Sequence, residues 1–153
     1  VEVYRLTKTR YASQLSGEGA SVFGGRWNLP GTKVIYTAEN RSLALVEVLV
    51  HLRLTDIPDE FCMVTIHFPD VLPVIAISVD QIHADWDIFP HTSHTQKLTD
   101  HYFHEMDFAA VRVPSAITKG EYNLLLNPLH PQFNTITIKK VEPFEFDRRL
   151  FKR

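Results

Sequence analysis

The chain has 153 residues, of which 44% are hydrophobic and 22% charged, and a formal net charge of −2. That length and apolar fraction suit one domain around one core and leave little room for a second. The same balance excludes a chain that is disordered throughout and one basic enough to coat nucleic acid along its surface. The single basic cluster, Arg148, Arg149, Lys152 and Arg153, reads as a solvated end.

Residues 2–7 alternate and are expected to form a strand. The opening, Val1 to Arg5, has no long apolar stretch and is not read as a leader. Residues 11–33, rich in Gly and Ser, are expected to be irregular. Val34 to Ala38 reads as a short apolar strand. Ser42 to Leu54 reads as a helix capped by Ser42, because it is rich in Leu and Ala and free of Gly and Pro. Residues 60–68 and 73–78 read as strands. In the first of these, Cys62, Val64, Ile66 and Phe68 alternate onto one face. Cys62, the only cysteine, is therefore expected to be a small buried hydrophobe and not a catalytic thiol. A single cysteine fits a reducing, cytoplasmic setting.

Thr95 to Met106 reads as a helix, and Ala109 to Val113 as a strand stopped by Pro114. Asn123 to Leu126 reads as a further short strand, and residues 135–147 as a last one, with Ile136, Ile138, Val141 and Phe144 among polar residues. No apolar run approaches the roughly 20 residues of a membrane helix, so no membrane partner is expected. The expectation is one α+β domain over residues 1–153, built of short strands with a few helices.

Three places stand out chemically. Glu47 lies in the middle of a helix that is apolar almost all round and is expected on that ground to be buried. A carboxylate there needs a partner or a cleft. Either it is a structural ion pair, with His51 at i+4, or it is a carboxylate of an active site. The segment Gly24-Gly25-Arg26-Trp27-Asn28 combines glycines that admit a ligand to the backbone, a guanidinium suited to phosphate and a flat aromatic surface. It reads equally as a glycine-rich loop anchored by Trp27. Neither a Rossmann fingerprint nor a P-loop is present. Ser115 follows Pro114 at a strand end and reads, alone, as a turn serine; Gly-x-Ser-x-Gly is not matched.

Histidine is abundant, with 8 residues. His91, His94, His101 and His104 cluster in the sequence with Asp100, Glu105 and Asp107. Phe108 stands where a zinc-protease motif begun at His104-Glu105 would need its second His, so a polar helix face is preferred and no metal is expected.

Taken in order, these stretches resemble the RES family, named for Arg, Glu and Ser. The resemblance rests on Gly24-Gly25-Arg26-Trp27-Asn28, Val34-Ile35-Tyr36-Thr37-Ala38, Ser42 to Glu47, Val113-Pro114-Ser115 and Asn123 to Pro128, with Tyr4-Arg5 near the start. It spans about residues 3–146, as a single RES domain, while Asp80 to Asp107 carries little of it. The resemblance implies a fold like that of ADP-ribosyltransferases and a bacterial toxin of a toxin–antitoxin pair. It implies an Xre-like antitoxin partner in a hetero-oligomer, with DNA bound only indirectly through that antitoxin. The implied activity is degradation of NAD, as substrate and with no cofactor required, by cleaving the nicotinamide–ribose bond through hydrolysis or phosphorolysis. ADP-ribosylation of a macromolecule is the first alternative, and a non-catalytic module of a regulatory complex is the second.

On that reading Glu47 stabilises the oxocarbenium character of the ribose. Arg26 and Arg5 grip the pyrophosphate. Tyr36 stacks on nicotinamide or hydrogen-bonds the ribose. Ser115 orients nicotinamide or ribose without acting as a nucleophile, because no general base is evident beside it. Asn123 completes the NAD-binding set.

Overall fold

The computed structural model describes residues 1–53 and 59–151. Its frame is a seven-stranded sheet in the order β4-β5-β6-β2-β1-β3-β7. The strands are β1 (Glu2–Lys8), β2 (Ile35–Ala38), β3 (Phe61–His67), β4 (Val74–Ala76), β5 (Ala110–Pro114), β6 (Tyr122–Leu126) and β7 (Thr137–Phe144). Neighbours pair antiparallel except β4 with β5, which run parallel. The helices are α1 (Glu18–Phe23), α2 (Arg41–Leu49), α3 (Ser93–Thr99) and α4 (Tyr102–Glu105). The expected α+β domain of short strands and few helices is what the chain forms.

Period-two alternation sorts the sheet's side chains into two cores. On one face Val3, Ile35, Cys62, Val64, Ile66, Leu124 and Leu126 pack together, which places Cys62 in the buried row expected of it. The opposite face carries two clusters. Leu6, Ala38 and Met63 lie under Leu43 and Ala44 of α2. Trp27, Val34, Val111, Val113 and Leu125 meet Phe103 of α4 and Trp86. The seam between these two clusters is where the polar residues of interest gather.

Five local expectations change. Residues 11–33 are not wholly irregular, because α1 forms between Gly17 and Gly24, both at φ 73°. These positive-φ positions bracket a helix whose own glycine hides it in the composition. The cap of α2 is Asn40, whose Oδ1 accepts from the Leu43 N–H at 2.8 Å, and Ser42 lies inside the helix. That helix ends at Leu49 and continues as turns to Leu52, while the expected terminus Leu54 lies outside the described residues. It is also not buried all round, since Val50 at its end is 54% exposed. The single helix expected from Thr95 to Met106 is two. The α3 helix closes at Thr99, whose hydroxyl bonds back to the Thr95 carbonyl and outward to that of Trp27, and a tighter turn leads into α4.

The ladder between β1 and β2 is registered at one pair, Tyr4 with Ala38. By contrast, β1 pairs with β3 over seven residues, from Glu2–His67 to Lys8–Phe61. The sheet is thus thinly joined at its middle, and the segments flanking that junction line a cavity.

Leu125 is fully buried in the centre of β6, where it faces Tyr36 and Val111 across the sheet. Leu125→Ala should lower stability by about 2–5 kcal/mol. Urea unfolding checks this: the midpoint should fall while the slope stays the same.

Candidate active site

A cavity of about 760 Å³ opens on the seam, between β1, β2, α2 and the segment around residues 87–91. Arg5, Arg26, Tyr36, Glu47 and Asn123 line it. Ser115 does not, being 1% exposed, but it touches the site through Glu47. All six residues singled out in the sequence therefore meet in one region, drawn from β1, the Gly-rich segment, β2, α2, the end of β5 and β6.

Glu47 is not paired with His51. Its Oε1 accepts from Ser115 Oγ at 2.9 Å and from Asn123 Nδ2 at 2.7 Å. Both donors are neutral, so the carboxylate is held in place without being neutralised. Its Oε2 has no hydrogen-bond partner among the described residues. Ser115 Oγ in turn accepts the N–H groups of Ile117 (3.1 Å) and Thr118 (3.0 Å). Those bonds fix the hydroxyl so that its one proton points to Glu47. Ser115 thus acts on the carboxylate, and its hydroxyl has no proton left to offer a ligand. Asn123 is 9% exposed, and its Oδ1 has no hydrogen-bond partner among the described residues. An acceptor covered without a donor is a local cost, carried here beside the cavity.

The Gly-rich segment is built around a residue the sequence reading quoted but did not single out. Asn28 is fully buried. Its Nδ2 donates to the carbonyls of Ala20 (3.0 Å) and Thr32 (3.0 Å), and its Oδ1 accepts from Tyr36 Oη at 2.6 Å. Tyr36 Oη also accepts the Trp27 N–H at 3.2 Å. Burial, partly offset by that N–H, raises the Tyr36 pKa well above the usual tyrosine value. Tyr36 is therefore a neutral strut of the loop: its hydroxyl is spent on the protein and only its ring is offered to the cavity. A Cβ at Gly25 would lie 2.6 Å from Tyr36 Oη and 3.0 Å from Asn28 Oδ1, which is why glycine stands there.

Arg26 donates through Nη1 to the carbonyls of Trp86 (2.6 Å) and Ile88 (3.0 Å). Its other N–H groups have no partner among the described residues. Partial burial pulls its pKa down, while the negative charges of Glu47 and Asp87 push it back up. Arg5 also lines the cavity, but its Nη1 is tied to the Gln14 carbonyl at 2.9 Å. Burial lowers its pKa as well.

The stretch from Asp80 to Asp107, silent in the family resemblance, holds the loop from outside. Gln96 of α3 donates to the carbonyls of Gly25 (2.8 Å) and Asn28 (3.0 Å), and Thr99 to that of Trp27 (2.6 Å). Thr95 donates to the carbonyl of Arg26. Four successive carbonyls are thus satisfied by one helix. The sequence signal was present, as Thr95 and Thr99 at i, i+4 beside Gln96. Asp87, Phe89 and His91 from the same stretch line the cavity too. Burial and the Arg26 charge hold His91 below the usual histidine range. The four histidines at 91, 94, 101 and 104 do not converge: His104 bonds Asp100 and Thr32, and His101 lies against Tyr102.

The structural logic of the loop is testable. Gly25→Ala should destabilise the protein by about 1–3 kcal/mol through overpacking against Tyr36. In a double-mutant cycle by denaturant unfolding, Gly25→Ala with Tyr36→Phe should cost less than the sum of the two single changes. Additive costs would contradict the contact.

Comparison with known proteins bears on the whole of this architecture. The model of the RES domain matches residues 2–147. The chain is 33% identical over 153 residues to a protein named Toxin Res from Photorhabdus laumondii subsp. laumondii, covering 98% of this chain and 97% of that one. It is 34% identical over 148 residues to the Prs ADP-ribosylating toxin of Sphingobium sp., covering 95% and 92%. Among solved structures, the MbcT–MbcA toxin–antitoxin complex of M. tuberculosis contains a chain of the same fold. It has a TM-score of 0.77 at 24% identity, over 94% of this chain and 83% of that one. The chain belongs to the RES domain family.

Proposed function

We propose that this chain is the toxin of a toxin–antitoxin pair and that it cleaves the bond between nicotinamide and ribose in NAD. The observation that carries the reading is Glu47: one carboxylate oxygen is fixed by Ser115 and Asn123, and the other has no hydrogen-bond partner among the described residues, beside a cavity shared with Arg26.

As the C–N bond breaks, its electron pair passes to the ring nitrogen, and nicotinamide, cationic in NAD, leaves neutral. The ribose gains oxocarbenium character, which a fixed carboxylate stabilises without having to reorganise. Neutral donors suit this role better than a cation, because they orient Glu47 without cancelling its charge. The oxygen of the acceptor, water or phosphate, then bonds to the ribose carbon, and a proton that it carries passes to solvent water. Arg26 has donors left for an anionic pyrophosphate. Asn123 joins the NAD-binding set through its hold on Glu47, and its covered Oδ1 reaches a ligand only after the side chain moves. The ring of Tyr36 offers a face for stacking. Arg5 joins the grip if it releases the Gln14 carbonyl. No step calls for a cofactor, and NAD is the substrate.

The partner reading is supported by the fold's likeness to a chain solved in a toxin–antitoxin complex. It takes the form of an Xre-like antitoxin in a hetero-oligomer that meets DNA through the antitoxin. No helix among the described residues is long and apolar enough to cross a membrane, and the cytoplasm is the proposed location. A second reading, transfer of ADP-ribose to a macromolecule, is favoured by the relative named as an ADP-ribosylating toxin. It uses the same bond cleavage and changes only the acceptor.

NAD labelled in the adenylate half, incubated with purified chain with and without phosphate and with cell extract, separates these outcomes. Free ADP-ribose or its phosphate supports degradation, and label on a macromolecule supports transfer. Intact NAD under all conditions would sink both and favour a non-catalytic module. Glu47→Gln should lower kcat by about 10²–10³-fold. Arg26→Ala should raise KM as well. Ser115→Ala should lower kcat with little change in KM, since it acts through the placing of Glu47.

A further inference from the structure

Among the described residues, one group of three metal-ligating side chains converges, and it is not the group that the histidine run suggests. It comprises His83, Asp85 and His94. His83 and Asp85 lie just after the 3-10 turn at Val79–Gln81, and His94 lies in the first turn of α3. Their ligand atoms all fall within 4.8 Å of one another. Both imidazoles turn Nδ1 to the same oxygen: His83 hydrogen-bonds Asp85 Oδ1, and His94 Nδ1 lies 3.3 Å from it. The two rings stack at 4.1 Å between centroids with 22° between planes.

Both Nδ1 atoms face one carboxylate oxygen, so an ion that displaces the protons shared there meets two nitrogens and an oxygen. This N,N,O set suits borderline divalent ions of the first transition row, and three protein ligands leave positions for water. The site is open to arriving ions, since the side chains of His83 and His94 are 54% and 46% exposed. It also sits where tying chain segments together has consequences. Residues 86 and 88, directly after Asp85, give their carbonyls to Arg26, and α3 holds the carbonyls of Gly25 to Asn28.

We propose that His83, Asp85 and His94 form a binding site for a divalent transition ion of the Zn²⁺ class, which staples the segment preceding α3 to α3 itself. The ion touches no residue of the cavity and takes no part in bond cleavage. It stabilises the frame on which Arg26 is mounted. The proposal stands apart from the NAD reading and would survive its failure.

The test uses the full chain, free of any affinity tag and stripped with a chelator, titrated with Zn²⁺ at neutral pH by calorimetry. One ion per chain is expected, with a rise in Tm as a bound ligand requires. Binding should weaken about tenfold or more in Asp85→Asn and vanish in His83→Asn/His94→Asn. In the unmodified protein, histidine ring resonances give a readout that needs no variant. Zn²⁺ should shift those of His83 and His94 and leave those of His51 and His67 in place. Absence of binding, binding as tight in the double variant as in the parent, or unmoved His83 and His94 resonances would each overturn the proposal.

Discussion

The site depends on how a carboxylate is held on an otherwise apolar helix. Glu47 is half-buried at the cavity wall, and the cost of that partial burial would be offset by a salt bridge only by cancelling the charge. The chain instead gives it two neutral hydrogen bonds to one oxygen. That choice sets the positions of much else. Ser115 must stand at the end of β5 with its hydroxyl fixed by two backbone N–H groups, and so the chain turns at residues 115–118. Asn123 must stand second in β6, opposite Ala38. The α2 helix must start at Asn40, which caps it and also donates to Glu121 next to that strand.

Much of this was legible in the sequence, though unevenly. The strands were readable because alternation and short apolar runs reflect burial on one or two faces. Glu47 was readable because a lone carboxylate among Leu, Ala and Val is costly. Its partners were not, since Ser115 and Asn123 lie far along the chain and nothing local to them marks a contact with α2. Only the family resemblance drew them together. The cap of α2 went astray by two residues because Asn40 and Ser42 both suit that position, and geometry alone separates them. The α1 helix was invisible for the reason that makes it short: glycines at its ends and inside it weaken every propensity signal.

The stretch from Asp80 to Asp107 shows how a segment without motif character can still determine a site. Its polar side chains satisfy backbone carbonyls of the Gly-rich segment, and a backbone carbonyl is the same whatever residue carries it. Such contacts leave only a loose demand on sequence: a hydroxyl or amide at the right helical spacing. Arg26 is therefore placed from two sides, by Asn28 within the loop with Tyr36 of β2, and by Thr95, Gln96 and Thr99 of α3 across it.

The thin junction between β1 and β2 has a consequence for cohesion. On one side lie β1, β3 and β7, and on the other β2, β6, β5 and β4. A registered ladder of one residue pair gives the two half-sheets little direct grip on each other, so side chains across the seam carry much of the union. A molecule lying in the cavity touches both halves at once and acts as an additional rung. Occupancy and integrity of the fold are then thermodynamically linked, and whatever fills the cleft also braces the protein that holds it.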